Sequence, residues 1–471
     1  MRGKQQRLLP ALALLTLGGC TAMPRDAGFP DLQKAAVTRL AGQQLQWNRG
    51  TADDRKAAAA VARLVESPLT AESAVQIALL NNSHLQAKYE RLGVSQAALV
   101  QAGLLQNPAF SAGILIGDGT ISPAFGVVQD FLNVFTRSAR QTVAASDFDR
   151  VKDEVANQVL DLSADVRSAY YTAVADEQAA DLFRQVVATL EAAADTAQRQ
   201  STAGNINARD QALQQAQYAQ AVVERSRIEM RTTEDRERLD RLLGLSGDRV
   251  SWNLPDRLPD PPSIAPSLDG LEKLAVERRL DLAGARQDLQ TATYALDLGR
   301  QLRWLPVLGL GVQIEKDPDT HRWLKGPVVE VALPLFDQGQ ARVATLEAQQ
   351  RESRKVLIAL ATDARSEVRE AGAQLIAAQE AAAFYKSTIL PLQQHIVDEN
   401  AKLADGMLIG VYDVLRGRQD QINAARDYVG TLKDYWVARA RLERAIAGPL
   451  PARAAANPSR PASALIAGDI P

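Results

Sequence analysis

Residues suited to bond-making are sparse and scattered in this 471-residue chain. Its three histidines, His84, His321 and His395, fall on separate segments, so no imidazole pair has metal-ligand spacing. No nucleophile stands beside a base, no glycine loop is shaped to cradle a phosphate, and the carboxylates do not cluster. Neither an enzyme nor a bound cofactor is expected. What remains is charge placed at turns. Asp210 and Asp413 are each the third residue of a helical stretch that follows a glycine-containing turn, Ala203-Gly204-Asn205-Ile206 and Asp405-Gly406-Met407-Leu408. A carboxylate there caps a helix, as Asn207 with Asp210 would in a capping box. Repeated around an opening, the same carboxylate favours cations. Arg416 places a cation one helical turn past Asp413. Gly204 and Gly406 are the residues suited to the left-handed conformation that ends a helix. The helical tyrosines and Tyr435-Trp436 read as packing residues.

The lone cysteine has its own chemistry. Arg2, Lys4 and Arg7 precede an apolar run from Leu8 to Leu17, which ends in Leu17-Gly18-Gly19-Cys20. This order resembles the bacterial lipoprotein processing box, with 1–19 as signal peptide and Cys20 as the acylated first residue. Lipidation accounts for a secreted chain with one cysteine and no disulfide partner. Thr21, where an inner-membrane protein would carry Asp, points to the outer membrane. Acyl chains would then serve as the anchor, since no later apolar run is long enough for a spanning helix. A formal net charge of −2 gives no reason to expect nucleic acid as a partner.

The turns are positioned by two very long helices. From Ser138 to Thr202 there are 65 residues without proline, a rod of about 100 Å at ~1.5 Å per residue. Val151, Val155, Val159, Leu162, Val166, Tyr170 and Val174 recur at three- and four-residue steps, a narrow seam of coiled-coil type. The pattern repeats from Gln340 to Ala404, again 65 residues, with Pro391 expected to kink the rod. Returning helices of 37 residues follow each turn, 208–244 and 411–447. Duplication at this scale defines architecture.

Each rod is preceded by a shorter helix and two alternating segments. Helices at 84–106 and 280–303 stop at Asn107-Pro108 and Leu305-Pro306. Strands are expected at about 109–116 and 124–134, around Gly117-Asp118-Gly119, and at about 307–315 and 328–335. The fold class is mainly α with a small β part. Organisation follows as an N-terminal segment 20–69, a first repeat 70–245 (hairpin 138–244), a Pro-rich linker 246–267, a second repeat 268–447 (hairpin 340–447) and a tail 448–471 without packed structure. Strands of this length fit a tilted bilayer crossing. Four cannot close a barrel, so several copies are needed, and periodicity does not choose their number.

From about Leu69 to Ala447 the chain resembles the outer-membrane efflux (TolC-like) family. The carrying features are the duplicated order, the two X-Pro stops, Leu333-Pro334-Leu335-Phe336-Asp337-Gln338-Gly339, and the two turn-and-return segments 203–210 and 405–413. Phe131-Leu132-Asn133-Val134-Phe135-Thr136-Arg137 looks most like members linked to heavy-metal, especially copper, efflux. The resemblance implies a homotrimer in which duplicated long α-hairpins form a trimeric α-barrel, continuous with a shared twelve-stranded transmembrane β-barrel. It implies a channel that passively conducts what an inner-membrane pump and a periplasmic adaptor (membrane fusion) protein deliver, with the helical tunnel in the periplasm. It places Gly204, Asn205, Ile206, Gly406, Met407 and Leu408 at the adaptor-docking tips. Asp210, Asp413 and Arg416 come near the pore constriction. A second acid is common where Arg416 stands, so the family's closed-state latch is not carried over whole. A lipid-anchored adaptor or coiled-coil scaffold is the alternative, but an adaptor has one hairpin, not two that each follow a strand pair.

Overall fold

The computed structural model describes residues 24, 26–40, 42–117, 120–246, 252–304, 308–317 and 320–451. The signal segment, Cys20, Asp118-Gly119, Leu305-Pro306 and the tail beyond 451 lie outside the described residues. In chain order the elements are α1 (Phe29–Arg39), α2 (Ala52–Val65), α3 (Ala71–Asn81), α4 (Ser83–Gly103), β1 (Ala109–Gly117), β2 (Thr120–Asp130), α5 (Leu132–Thr202) and α6 (Ala208–Leu243). Then come α7 (Leu271–Arg278), α8 (Leu280–Leu302), β3 (Leu308–Lys316), β4 (Trp323–Val331), α9 (Gln340–Phe384), a π-turn (Tyr385–Ile389), α10 (Leu390–Asp405) and α11 (Val411–Ala445). The described residues are mainly helical, with four antiparallel strands among them. The chain divides into two compact units. One comprises Met1–Lys34, Ala87–Ala156 and Leu280–Leu360, and the other Ala35–Gln86, Asn157–Arg279 and Ala361–Pro471.

The first unit holds the sheet, an antiparallel meander in the order β1-β2-β3-β4. Pairing puts Phe110, Val127, Val312 and Pro327 in one row across it, and Ala112, Phe125, Ile314 and Lys325 in another. Because side chains alternate along a strand, these rows share one face. The opposite face carries the rows Ser111, Gly126, Gln313, Gly326 and Asp130, Gly309, Glu330. One face is thus mostly apolar, and the other is mostly small or polar, with Leu115, Val128, Leu324 and Val328 among its residues. Helices of this unit are joined by polar bonds: Ser146 Oγ meets Thr291 Oγ1 at 2.5 Å, Gln287 Nε2 donates to Ser146 at 2.6 Å, and Arg150 pairs with Asp288 at 3.2 Å.

Two strands and one helix begin earlier than the sequence suggests. β2 starts at Thr120, not 124, and β4 at Trp323, not 328, ending at Val331. Ser122-Pro123 and Gly326-Pro327 look like turn residues, yet their partners hold them in register: Pro123 faces Ile114, and Pro327 lies on the edge strand opposite Val312. Pro123 precedes the pairing of β2 with β3, so its missing N–H costs no ladder bond on that side. The first rod begins at Leu132 instead of Ser138, because Asp130 Oδ1 accepts from the Asn133 amide at 3.3 Å and caps it.

The second unit is helical. Thr70 caps α3, accepting from the Ser73 amide at 3.1 Å while Ser73 Oγ accepts from the Thr70 amide at 2.8 Å. Asn82 ends that helix and α4 starts at once. Side chains of the same Asn-Asn pair close α6: Asn81 Nδ2 donates to Gly244 O at 2.7 Å and Asn82 Nδ2 to Leu242 O at 2.8 Å. Gly244 takes φ +70°, and a Cβ there would meet Asn81 O at 2.6 Å, so glycine is required twice over. One core cluster joins Leu271 and Ala275 of α7, Val368, Ala371 and Leu375 of α9, and Tyr435, Ala438 and Leu442 of α11. A second joins Phe183, Val186, Val187 and Leu190 of α5 to Ala221 of α6 and Ile422 of α11. Each fully buried Leu or Val of this kind stabilises by ~1.5–3 kcal/mol, so packing, more than helix propensity, holds the hairpins.

The expected kink at Pro391 takes a different form. The second rod changes to a π-turn over Tyr385–Ile389, where the Leu390 amide bonds back to Tyr385 O, before Pro391 withholds its donor. Residues 252–267 are more than a linker. Asp260 accepts from Lys386 Nζ at 2.6 Å and Tyr428 OH at 2.7 Å, Trp436 Nε1 donates to Pro259 O at 2.8 Å, and Gln379 Nε2 to Pro262 O at 2.8 Å.

Candidate functional site

The two hairpin ends are one motif built twice. Asn205 N donates to Gln200 O and Gly204 N to Ser201 O, at 2.8 and 3.0 Å. Leu408 N donates to Leu403 O and Met407 N to Ala404 O, at 2.8 and 2.9 Å. Both are Schellman closures, and the positions match one for one. The left-handed residue is Gly204 (φ +76°) in the first and Met407 (φ +54°) in the second. This corrects the expectation for Gly406, which sits at φ −79° inside the closure. A side chain in that conformation costs ~1–2 kcal/mol. Met407 bears it while 93% exposed as a residue, beside Leu408 at 74%. The second end is therefore apolar where the first, Gly204-Asn205, is polar.

Both carboxylates stand in the first turn of the returning helices. Asn207 Oδ1 accepts from the Asp210 amide at 2.9 Å, and Asp210 Oδ2 accepts from Asn207 Nδ2 at 2.8 Å, so the reciprocal bond goes to the side-chain amide instead of the backbone. Asp413 Oδ2 accepts from the Gly410 amide at 3.1 Å. Asp413 and Arg416 also line a cleft of about 650 Å³ between α5, α6 and α11, together with Gln214, Gln217, Asp420 and Arg426. Arg416 has no ion-pair partner among the described residues. Asp413 and Arg416 lie about one turn apart on one helix and face the same cleft. The structure thus brings these two together, while Asp210 stands at the other turn.

Three arrangements escape sequence reasoning because their members are distant in the chain. Tyr412 OH donates to Gln200 Oε1 at 2.8 Å and ties the second hairpin end to the first. Asp235 of α6 shares a hydrogen bond with Asp176 of α5, which Lys433 of α11 approaches at 3.8 Å. Burial, then the hydrogen bond and charge of Asp176, push the Asp235 carboxyl up to about 6. Hydrogen bonds from Lys386 and Tyr428 hold Asp260 below the usual carboxylate range.

Histidines do not converge, and no group of three or more His, Cys, Asp or Glu suited to a metal ion occurs among the described residues. His321 lies in the β3–β4 connection at φ +56°. The helical aromatics pack: Tyr170 OH donates to Leu69 O at 2.8 Å, and Tyr171 stacks on Trp436 with centroids 5.0 Å apart. No described helix is long and apolar enough to cross a membrane. The apolar side chains instead crowd one face of the sheet, where Phe110, Ile114, Ile116, Val312 and Val329 are all exposed.

No family model matches the chain. It is 23% identical over 388 residues to the cobalt-zinc-cadmium resistance protein CzcC of Cupriavidus metallidurans, covering 81% of this chain and 91% of that protein. Among solved structures it is similar to the Campylobacter jejuni CmeC outer membrane channel, with TM-score 0.68, 13% identity and coverage of 89% of this chain and 92% of that one. It is also similar to the outer membrane protein VceC from Vibrio cholerae, with TM-score 0.65, 17% identity and coverage of 83% and 97%. The chain therefore has the fold of these outer-membrane proteins.

Proposed function

We propose that this protein is the outer-membrane exit duct of a tripartite efflux system, conducting passively what an inner-membrane pump and a periplasmic adaptor deliver. The observation that carries the reading is the sheet: its apolar face is exposed, the opposite face is mostly small or polar, and both outer strands have a free edge. In lipid a free edge costs several kcal/mol per unpaired backbone group, so the sheet must close with other copies. Three copies give twelve strands, within the range of known barrels. The apolar face then meets lipid, with Trp323 toward one interface. The polar face, with Asp130, Gln313, Glu315 and Glu330, lines the water path.

The helical hairpins then form the periplasmic tunnel, with acyl chains on Cys20 as a further anchor. Gly204, Asn205, Ile206, Gly406, Met407 and Leu408 form the surface offered to the adaptor, and Asp413 and Arg416 the charged lining near the mouth. Heavy-metal ions are the cargo class to test first, because the curated relative that matches along most of the chain is named for cobalt, zinc and cadmium resistance. A deletion strain tested against metals, dyes, detergents and antibiotics checks this. Sensitivity confined to metals, restored by the gene, supports the metal assignment, and sensitivity confined to organic compounds contradicts it.

A further inference from the structure

The duplication supplies an internal control for the second hairpin. In the first, α5 runs unbroken through positions 182–188 and buries Phe183, Val186 and Val187 there. In the second, the matching stretch is the π-turn Tyr385–Ile389 followed by Pro391. Packing changes at the same level. α9 buries Ala364, Val368, Ala371, Leu375 and Ala382, whereas α10 buries no residue. The returning helix carries a matching weak point. Gly430 lies inside α11, and a Cβ added there meets nothing within 4 Å, so space does not demand a glycine. Its effect is to loosen the helix. The matching residue of α6 is Arg227.

Asp260 grips both weak points, through Lys386 inside the π-turn and Tyr428 two residues before Gly430. Farther from the hairpin end, Gln379 and Trp436 donate to the carbonyls of Pro262 and Pro259 in the same segment, 252–267. Lys386 and Asp260 are each more than half exposed, so their pair is weak and readily broken.

We propose that the π-turn and Gly430 form a paired pivot about which α10 and the first half of α11 swing as one body, and that Asp260 latches this pivot by holding Lys386 and Tyr428. Its consequence for transport rests on the conduit reading: the swinging part carries Tyr412, Asp413 and Arg416, so its motion changes the mouth. A regular helix would have no such pivot, since π-turns are local interruptions of the hydrogen-bond ladder.

Hydrogen–deuterium exchange on the full purified protein tests the pivot without relying on conductance. Asp260→Asn should speed amide exchange threefold or more across 390–405 and 411–425, and in 183–200 where α5 packs on Ile422 and bonds Tyr412, leaving 361–382 unchanged. Tyr428→Phe, which removes one bond and keeps the ion pair, should do the same to a smaller extent and serves if Asp260→Asn misfolds. Gly430→Ala should slow exchange in the same segments. Unchanged exchange in the Asp260 and Tyr428 variants, or faster exchange spreading into 361–382, overturns the pivot. Planar-bilayer recordings on the same samples keep the readings apart: the expected exchange pattern in a protein that never conducts keeps the pivot and overturns the conduit.

Discussion

The Tyr412 hydroxyl donates to Gln200 Oε1 at 2.8 Å, a hydrogen bond between residues 212 positions apart that joins the two hairpin ends of one chain. A bond of this kind contributes ~0.5–1.5 kcal/mol net. Removing it should shift an open–closed balance by roughly two- to tenfold. Tyr412→Phe is therefore expected to raise open probability in single-channel records, and Gln200→Ala to match it without adding to it. Unchanged gating in both would remove this bond from the closed state.

Asp413 and Arg416 lie on one helix and share one cleft, so their charges offset each other. Asp413→Ala should weaken block of the pore by multivalent cations added from the periplasmic side. Arg416→Asp should strengthen it, because two carboxylates would then face the same water. Blocking curves that ignore both substitutions would place the constriction elsewhere.

The exposed hairpin ends should matter for docking and not for assembly. Gly204→Val forces a β-branched residue into the left-handed region, and Met407→Ala trims the apolar end. Both are expected to lower transport several-fold while the oligomer stays intact by native mass. Export that survives both changes would move docking away from these turns.

Stability should depend on pH through Asp235. Its carboxyl is raised to about 6 in the folded state from an ordinary value near 3.8, so the folded protein binds the proton more tightly than the unfolded chain. The associated stabilisation is complete below pH ~4 and is lost as pH rises through about 6. Asp235→Asn, uncharged throughout, should flatten the Tm-against-pH curve in that window. A wild-type curve already flat there would contradict the assignment.

The two faces of the sheet should respond oppositely to a charge. Val312 lies on the apolar face and Gln313 on the polar one. Val312→Arg is expected to cost ~2–4 kcal/mol of folding into lipid vesicles if its position is near the bilayer midplane, and Gln313→Arg far less. Equal costs would mean that the apolar face does not meet lipid.

How much of this was legible depended on the range of the interactions. Periodicity exposed the rods, and the duplication exposed the hairpin ends, because both are local patterns repeated over many residues. The starts of β2 and β4 were hidden: Ser122-Pro123 and Gly326-Pro327 carry turn chemistry, and only cross-strand pairing with Ile114 and Val312 overrides it. Met407 was hidden by its neighbour, since Gly406 is the better left-handed residue but sits one position too early for the closure. In sequence Asp260 looks like part of a linker, because its partners, Lys386 and Tyr428, lie 126 and 168 residues away. The same distance conceals the Asp176–Asp235 pair.

The proposed conduit requires the open sheet to become a closed pore. Full-length protein purified in detergent, sized by native mass and then added to a planar bilayer, tests this directly. The expected result is a trimer that inserts and gives discrete, long-lived conductance steps in proportion to the amount added. A monomeric species, or a trimer that leaves the bilayer silent, would contradict it.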